Sequence, residues 1–536
     1  MQTDLFTRLQ TNAEKHPNKP AIIYFDKKIW KTISYQELLD LTNRFFHGLQ
    51  ACSLTPNMRA ALLTPPSADF FALAFAMLKL GIIPIIVDPA IGLKKVSQCL
   101  TESKPDIFFG NTVTHLLRII FGWGKETIKH NLTINQLSRI THYESNIHHS
   151  SFTIHHSSPA AIVYTSGSTG LPKGAIYTQE NFSAQLDMLQ QTFNISADEI
   201  DLPAFPLYTM IDCLLGVTSV IPDINFPVPK KTNPQKVFEA IEKFKVTNMF
   251  ASPVVLDILE KFWSAGACSR KVQQQAVALQ SLKRIITAGA PATIQLQERF
   301  RKLINEETNL FGIYGATEAL PIAKIESREI FSLREKTESG AGVCLGKPVK
   351  DIQVRIIKIT DEPIVEWQDS LTVESNVVGE ITVQGAAVTR GYIHREDANR
   401  LSKIKTGDEI IHRMGDVGYV DEVGNLWYCG RKSHRVITKD DVFFTEQIEN
   451  IFNAHPSVYR TALVELKREP VLWVELKQGE TNQDKIKVEL IQMASHYPQA
   501  SKIKTFLFME KFPTDVRHNS KIIREELKML AEKRLS

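Results

Sequence analysis

The chain has 536 residues, of which 43% are hydrophobic and 23% are charged. This length exceeds one hydrophobic core, so we expect two or more domains with the composition of a soluble globular protein. The formal net charge of +4, without any basic block, gives no reason to expect nucleic acid as a partner.

Compartment signals point to the cytoplasm. The six cysteines show no C-x-x-C spacing, which argues against a zinc site or a disulfide framework and fits a reducing compartment. The N-terminus lacks the apolar segment of a signal peptide. The most apolar stretch, residues 70–93, would place Lys79 and Asp88 inside a membrane, so a helix over 70–80 and a buried strand over 82–87 explain it better. We expect no transmembrane segment and leave peripheral membrane contact open.

The pattern of predicted secondary structure changes twice along the chain. Over the first three hundred residues, helical patterns alternate with short Val/Ile-rich strands, which predicts a largely parallel sheet with helices on both faces. Short strands separated by turn residues follow from about 342 to 430 and indicate a small β-barrel or β-rich subdomain. The pattern of the last hundred residues, from 431, predicts a mixed α/β segment that is long enough to form its own domain.

The most informative stretch is Thr165-Ser-Gly-Ser-Thr-Gly-Leu-Pro-Lys-Gly174, which lies between two β-type runs. Small hydroxyl residues and glycines let backbone N–H groups converge on an anion, and Lys173 adds a positive charge. The stretch is not a Walker A loop, because its lysine follows Leu171-Pro172 and precedes a strand instead of opening a helix. A flexible Ser/Gly turn is the alternative, and the flanking strands favour the phosphate loop.

Five further motifs follow in order: Thr287-Ala-Gly-Ala-Pro291, Tyr314-Gly-Ala-Thr-Glu318, Arg413-Met-Gly-Asp416, Gly424-Asn-Leu-Trp-Tyr-Cys-Gly-Arg431 and Pro513–Arg524. An aromatic ring can stack on a purine, a glutamate can hold Mg²⁺, and an aspartate at a turn can bind ribose hydroxyls. Each motif alone has a plain structural explanation, such as a turn-forming aspartate or a solvated lysine. Their joint order is what indicates a nucleotide site.

That order resembles the adenylate-forming superfamily, which includes acyl-CoA synthetases, peptide-synthetase adenylation domains and luciferases. The resemblance extends from Ile33-Ser-Tyr-Gln-Glu-Leu38 to Lys521, nearly the full chain. It implies two helix-covered βαβ sheets and a β-barrel subdomain within residues 1–430, followed by a mobile α+β domain over 431–536. It also implies a carboxylate that attacks the α-phosphate of Mg·ATP, releasing pyrophosphate and forming an acyl-adenylate.

The resemblance also assigns roles to residues. Thr169, Glu318 and Lys521 are the expected catalytic residues, with Glu318 as the Mg²⁺ ligand and Lys521 delivered by the mobile domain. Tyr314 would stack on adenine, and Asp416 would bind the ribose. The expected nucleotide-binding set is Thr165, Ser166, Gly167, Ser168, Thr169, Gly170, Lys173, Gly289, Ala290, Pro291, Gly312, Tyr314, Gly315, Ala316, Thr317, Asp416, Arg431 and Lys521.

The chain departs from the superfamily in the helix expected to line the acyl site. Many acyl-CoA synthetases carry an aromatic-His pair after Pro-Leu, whereas the stretch here reads Phe205-Pro-Leu-Tyr-Thr-Met-Ile211, with Thr209 in the place of the histidine. Our candidates for the acyl site are Tyr208, Thr209 and Asp212.

The chain also departs from thioester-forming members after Arg431. Ser433 occupies the hinge position, and Ile437 and Asp440 replace the lysine and glycine of the loop that lines the pantetheine tunnel. An aspartate adds a Cβ and a charge where close backbone approach is needed. Ser520 replaces the glycine before the final lysine. These changes argue against CoA as the second substrate.

The variant motifs are similar to those of bacterial olefin-pathway β-lactone synthetases, notably residues 430–436, 444–449 and 513–521. That resemblance implies adenylation of a long-chain 2-alkyl-3-hydroxy acid, followed by attack of the acid's own 3-hydroxyl on the activated carbonyl. Whether the protein forms a complex with other enzymes of the pathway is left open. A long-chain fatty-acyl-CoA ligase is the alternative, and a non-catalytic acyl-AMP-binding scaffold is a third. The general base is not evident, and His434 and His518 are weak candidates.

Overall fold

The computed structural model describes residues 4–26, 28–139, 155–164, 171–224, 228–266, 279–514 and 521–535. Within those ranges, none of the helices combines the length and the apolar character that crossing a bilayer requires.

Twenty-five strands lie in the described ranges. They are β1 (Pro20–Asp26), β2 (Ile29–Ser34), β3 (Arg59–Leu63), β4 (Ile83–Ile86), β5 (Ile107–Gly110), β6 (His130–Leu132), β7 (Pro159–Tyr164), β8 (Gly174–Thr178), β9 (Ile200–Pro203), β10 (Thr218–Ile221), β11 (Asn248–Ala251), β12 (Arg284–Thr287), β13 (Asn309–Ala316), β14 (Ala319–Glu326), β15 (Val343–Pro348), β16 (Gln353–Ile357), β17 (Gly379–Gln384), β18 (Lys403–Thr406), β19 (Glu409–Val420), β20 (Leu426–Arg431), β21 (Val436–Ile437), β22 (Val442–Phe443), β23 (Val458–Leu466), β24 (Glu469–Leu476) and β25 (Thr505–Met509).

Two sheets dominate the first 431 residues. The smaller has the strand order β6-β5-β3-β4-β7-β8 and is parallel except for the β7–β8 hairpin. The larger has a parallel centre, β13-β12-β11-β9-β10-β1, with antiparallel strands at both ends. The strands of the β-rich segment extend this sheet in the order β15-β20-β19-β17-β16, joined to it through β14. The α/β fold expected from the sequence is confirmed.

Helices cover the sheets. The α-helices are Leu5–Lys15, Tyr35–Ala51, Ala68–Leu80, Leu93–Ser103, Thr112–Phe121, Ile134–Arg139, Gln179–Phe193, Tyr208–Leu215, Pro234–Phe244, Pro253–Gly266, Ile294–Arg301, Ser327–Ser332, Arg334–Lys336, Glu396–Ser402, Thr445–Asn453, Gln483–Ala494 and Arg524–Leu535.

The apolar stretch near residue 80 folds as predicted, as a buried helix and a buried strand. Helix Ala68–Leu80 is apolar on nearly all sides because it packs inside the protein, beside helix Tyr35–Ala51. Gly81 ends it with a φ of 76°, a left-handed conformation that glycine adopts without strain. The chain then enters β4, beside β3 and β7.

The last hundred residues build their own sheet and core. Strands β23, β24 and β25 pair in that order, and apolar side chains from them pack against helices Thr445–Asn453 and Gln483–Ala494. A second apolar cluster lies on the other face of this sheet, under helix Arg524–Leu535. The extent of the two domains and the mobility of the second remain predictions.

Candidate active site

Strands of the larger sheet carry, or lead directly into, four of the six predicted nucleotide motifs. The motif at 287–291 begins where β12 ends, and Thr287 lies in register with Gly312 on β13. Gly289 has a φ of 89°, which a turn at this point requires. Side chains at the carboxyl ends of neighbouring parallel strands share one edge of a sheet, where ligands of such folds bind.

Asp416 is held between two predicted partners. Its Oδ2 accepts a hydrogen bond from the Tyr314 hydroxyl at 2.6 Å, and its Oδ1 lies 2.9 Å from Arg431 Nη1. Antiparallel pairing of β19 with β20 sets Asp416 directly opposite Arg431. Burial raises the pKa of Asp416, and the adjacent arginine and tyrosine oppose that change. The geometry fixes this carboxylate in one orientation at the site.

Glu318 lies in the turn between β13 and β14 and is buried. Its Oε1 accepts a hydrogen bond from the Tyr392 hydroxyl at 2.6 Å, and its carbonyl accepts one from the Thr389 backbone N–H at 2.8 Å. The carbonyl of its neighbour Thr317 accepts a hydrogen bond from Tyr177. In the part of the chain that the structure describes, Oε2 of Glu318 accepts no hydrogen bond. One oxygen of this carboxylate is therefore positioned and the other is available.

The phosphate loop itself lies mostly outside the described residues, since Thr165, Ser166, Gly167, Ser168, Thr169 and Gly170 are not among them. Its two ends are described. Tyr164 pairs with Gly174 across the β7–β8 hairpin, as the flanking strands predict. The Lys173 ammonium lies 5.2 Å from the centre of the Tyr392 ring, so Tyr392 contacts both the end of the loop and Glu318.

Sequence reasoning missed Tyr392 and a second cation near Glu318, the buried Lys403. Lys403 Nζ donates to the Thr389 carbonyl and lies 5.6 Å from the centre of the Tyr392 ring. Burial lowers the pKa of Lys403 to about 7, and Lys173 lowers it further, while Glu318 raises it. A strand that begins with a lysine gives no sequence signal for this placement, because lysine is normally exposed.

Two of the three acyl-site candidates are engaged in a buried polar cluster. The Ser219 hydroxyl donates to Asp212 Oδ2 at 2.7 Å and lies 3.1 Å from Thr209 Oγ1. Burial raises the pKa of both Asp212 and Asp201, and their proximity makes ionisation of both unfavourable. Thr209 and Asp212 therefore hold helix Tyr208–Leu215 on the sheet.

Tyr208 differs from its two neighbours. Its ring stacks on Phe250, with centroids 3.6 Å apart and an interplanar angle of 16°. Its hydroxyl is buried and has no hydrogen-bond partner among the described residues. An unpaired buried hydroxyl costs free energy unless a ligand or water satisfies it, so Tyr208 remains the best acyl-site candidate of the three.

The segment after Arg431 is tied to the β-rich strands. Ser433, the predicted hinge residue, is exposed within a 3₁₀ turn, Lys432–His434. Ion pairs hold the turn, because Lys432 reaches Glu380 Oε1 at 3.2 Å and Arg435 reaches Asp361 Oδ2 at 2.5 Å. Hinge function itself remains a prediction.

The two residues that stand in place of the lysine and glycine of the pantetheine-tunnel loop lie on the surface. Ile437 is 46% exposed and Asp440 is exposed. Lys521 is half-buried, next to the bridge between Thr514 and Ile522, while Ser520 and His518 lie outside the described residues.

His434 is a poor candidate for a general base. Burial lowers the pKa of its imidazole to about 3, and the charges of Arg524 and Arg431 lower it as well. A group this weakly basic has little driving force to take a proton near neutral pH. The general base remains unassigned.

Comparison with known proteins identifies the family of this chain. Residues 9–393 match the AMP-binding enzyme family. An olefin beta-lactone synthetase from Xanthomonas campestris is 36% identical over 93% of this chain and 91% of its own. One from Stenotrophomonas maltophilia is 35% identical over 94% and 92%. The O-succinylbenzoate coenzyme A synthetase from Bacillus subtilis, solved with ATP and a magnesium ion, superposes with a TM-score of 0.75 at 21% identity, covering 97% of this chain and 99% of that one.

The family match and the two curated relatives define the class of this protein as adenylate-forming enzymes. The chain belongs to the family of AMP-binding enzymes, and it is an AMP-forming ligase or synthetase. The resemblance to olefin-pathway β-lactone synthetases that the sequence motifs indicated is confirmed by these relatives.

Proposed function

We propose that the protein is a β-lactone synthetase acting on a long-chain 2-alkyl-3-hydroxy acid. It activates the carboxylate with ATP, and the 3-hydroxyl then closes the ring with release of AMP. The observation that carries the proposal is the similarity to two olefin beta-lactone synthetases along more than nine-tenths of the chain. We further propose a cytoplasmic location and contact with enzymes that supply the hydroxy acid and consume the lactone.

The described residues fit ATP and Mg²⁺. Asp416, oriented by Tyr314 and Arg431, suits the ribose hydroxyls, and the Thr287 hydroxyl at the end of β12, which has no hydrogen-bond partner among the described residues, offers a further hydrogen-bonding group. Carboxylate oxygen is the ligand type that Mg²⁺ prefers, and Oε2 of Glu318 has no other described partner. The ion would neutralise charge on the phosphates. Lys173, Lys403 and Lys521 are the protein's own candidates to stabilise the charge that develops there.

In the second half-reaction the substrate supplies its own nucleophile. The 3-hydroxyl oxygen forms a bond to the activated carbonyl carbon, the bond from that carbon to the AMP oxygen breaks, and the hydroxyl proton is released. An internal nucleophile gains up to about 7–11 kcal/mol from proximity in favourable cases. No thiol acceptor is needed, which agrees with an exposed aspartate at position 440.

Paired substrates test the proposal. The protein is supplied with ATP, Mg²⁺ and either a long-chain 3-hydroxy acid or the same acid without the hydroxyl, each with and without CoA. We expect the hydroxy acid to give AMP, pyrophosphate and a product lighter than the acid by one water, measured by mass spectrometry. The acid without the hydroxyl stops at the adenylate, with at most one turnover per site.

Three outcomes decide against β-lactone formation. Accumulation of acyl-CoA identifies a fatty-acyl-CoA ligase instead. Equal multiple turnover of both acids without CoA shows that the hydroxyl is a bystander. Absence of any pyrophosphate release with either acid points to a binding protein and contradicts the assignment of catalytic roles.

A further inference from the structure

Helix Thr112–Phe121, which connects β5 to β6 in the smaller sheet, carries an apolar stripe that faces solvent. Val113, Leu116, Ile119 and Ile120 form this stripe and are 63%, 57%, 68% and 64% exposed. None of the helix residues is fully buried. Large aliphatic side chains exposed singly are ordinary, but four contiguous ones on a single helix mark an interaction surface.

The stripe is a defined face of the helix. Its residues recur at i, i+3, i+6 and i+7, which places them on one side of an α-helix. The opposite side is anchored to the protein, because Leu117 packs against the core of the smaller sheet and the Arg118 guanidinium lies 5.9 Å from the centre of the Phe108 ring. The helix is therefore held in an orientation that presents its apolar residues outwards.

Exposed lysines precede and follow the apolar stripe in the chain. The preceding helix, Leu93–Ser103, contacts helix Thr112–Phe121 and also exposes Leu93. Over residues 93–130, the exposed charged side chains are one acid, Glu126, and five lysines: Lys94, Lys95, Lys104, Lys125 and Lys129. Residues 93–130 therefore combine exposed aliphatic side chains with an excess of exposed positive charge.

We propose that the apolar stripe and its lysines dock the protein on the surface of an anionic phospholipid bilayer. An anchored helix of this kind lies in the plane of the interface, with its apolar face among the acyl chains, and the lysines of the flanking segments would contact the anionic headgroups. A second copy of the chain fits less well, because a symmetric contact would bring the lysines of both copies together. The inference rests on the surface alone and does not depend on the identity of the acyl substrate.

Vesicle sedimentation of the full-length protein tests the docking. The probes are vesicles of phosphatidylcholine alone and vesicles that also contain about one-third phosphatidylglycerol. We expect the wild type to pellet with the anionic vesicles, with binding weakened at high salt. Ile119→Ser/Ile120→Ser should lower the partition coefficient by about tenfold or more. Val488→Ser, a change at an equally exposed aliphatic position (64%) in the last domain, should leave it unchanged.

Several results would overturn the proposal. These are no sedimentation with anionic vesicles, equal binding by the Ile119/Ile120 variant, or equal binding to neutral vesicles at all salt concentrations. A wild type that is dimeric by light scattering, together with a monomeric Ile119/Ile120 variant, would assign the stripe to self-association instead. Both positions are exposed, so thermal melting of the variant should match the wild type and exclude misfolding as the cause of lost binding.

Discussion

At the scale of single residues, the notable feature is a buried cation–aromatic–carboxylate network. The centre of the Tyr392 ring lies 5.2 Å from the Lys173 ammonium and 5.6 Å from that of Lys403, and the Tyr392 hydroxyl donates a hydrogen bond to Glu318. A buried ammonium is costly unless it is compensated, and Lys403 has a carbonyl acceptor and the Glu318 charge nearby. We interpret Lys403 as a positioning residue that orients Tyr392 and Glu318 and adds positive charge beside the site.

Replacing Lys403 with methionine should impair the first half-reaction. The variant keeps much of the side-chain volume but loses the positive charge, so we expect acid-dependent ATP–pyrophosphate exchange to fall by roughly ten- to a hundredfold. Lys405→Met, which changes an exposed lysine of the same strand, is the matched control and should retain full activity. Normal exchange by the Lys403 variant would restrict this lysine to a purely structural role.

The lowered pKa of Lys403 predicts that the free energy of unfolding depends on pH. Burial lowers the pKa of Lys403 to about 7 from an ordinary value of 10.5. Between pH 7 and 10.5 the unfolded chain therefore holds more protons at this lysine, and its contribution to the free energy of unfolding rises with pH. Any stability advantage of Lys403→Met over the wild type should shrink from pH 7 to pH 9 in urea denaturation. A pH-independent difference would contradict the lowered pKa.

At the scale of elements, helix Thr445–Asn453 links the last domain to the rest of the chain. It contacts β20 and the segment Thr337–Ala341. Gly430 precedes it with a φ of 132°, and a Cβ there would come within 2.2 Å of Thr445 Oγ1, so only glycine fits. Arg524 secures the helix from the other side, with two nitrogens 2.6 and 2.9 Å from the Glu449 carboxylate.

Breaking the Arg524–Glu449 pair should destabilise the last domain. Both side chains are nearly buried, so Arg524→Met leaves an unpaired carboxylate and should cost about 3–5 kcal/mol of unfolding free energy. The double variant Arg524→Met/Glu449→Leu should recover most of that loss, because neither charge remains. Urea denaturation of both variants measures the difference. Equal loss in both would show that packing, and not the unpaired charge, is responsible.

At the scale of the whole molecule, the expected nucleotide residues come from both sheets of the first 431 residues, whereas Lys521 lies in the segment that follows them. We infer that this lysine relieves the repulsion between the substrate carboxylate and the α-phosphate once the domains are suitably placed.

Lys521→Ala should therefore lose most adenylate formation while ATP binding stays largely intact. Pyrophosphate release and nucleotide binding, measured on the same preparation, separate the two effects. Lys528→Ala, at a lysine a few residues further on whose side chain is 44% exposed, is the control and should behave like the wild type. Near-normal pyrophosphate release by the Lys521 variant would remove its catalytic role.

The sequence by itself determined the reaction class and the main elements. Motif order alone indicates an adenylate-forming enzyme, and the apolar pattern near Gly81 predicts the buried helix and β4, because periodicity and turn residues act locally. Only the tertiary structure places Tyr392 and Lys403 beside Glu318, since the burial of a lysine depends on strands far apart in sequence. The tertiary structure also shows that Thr209 and Asp212 form hydrogen bonds with Ser219 and that the pKa of His434 is lowered. Hydrogen-bond partners and solvent exposure arise only when distant segments pack together.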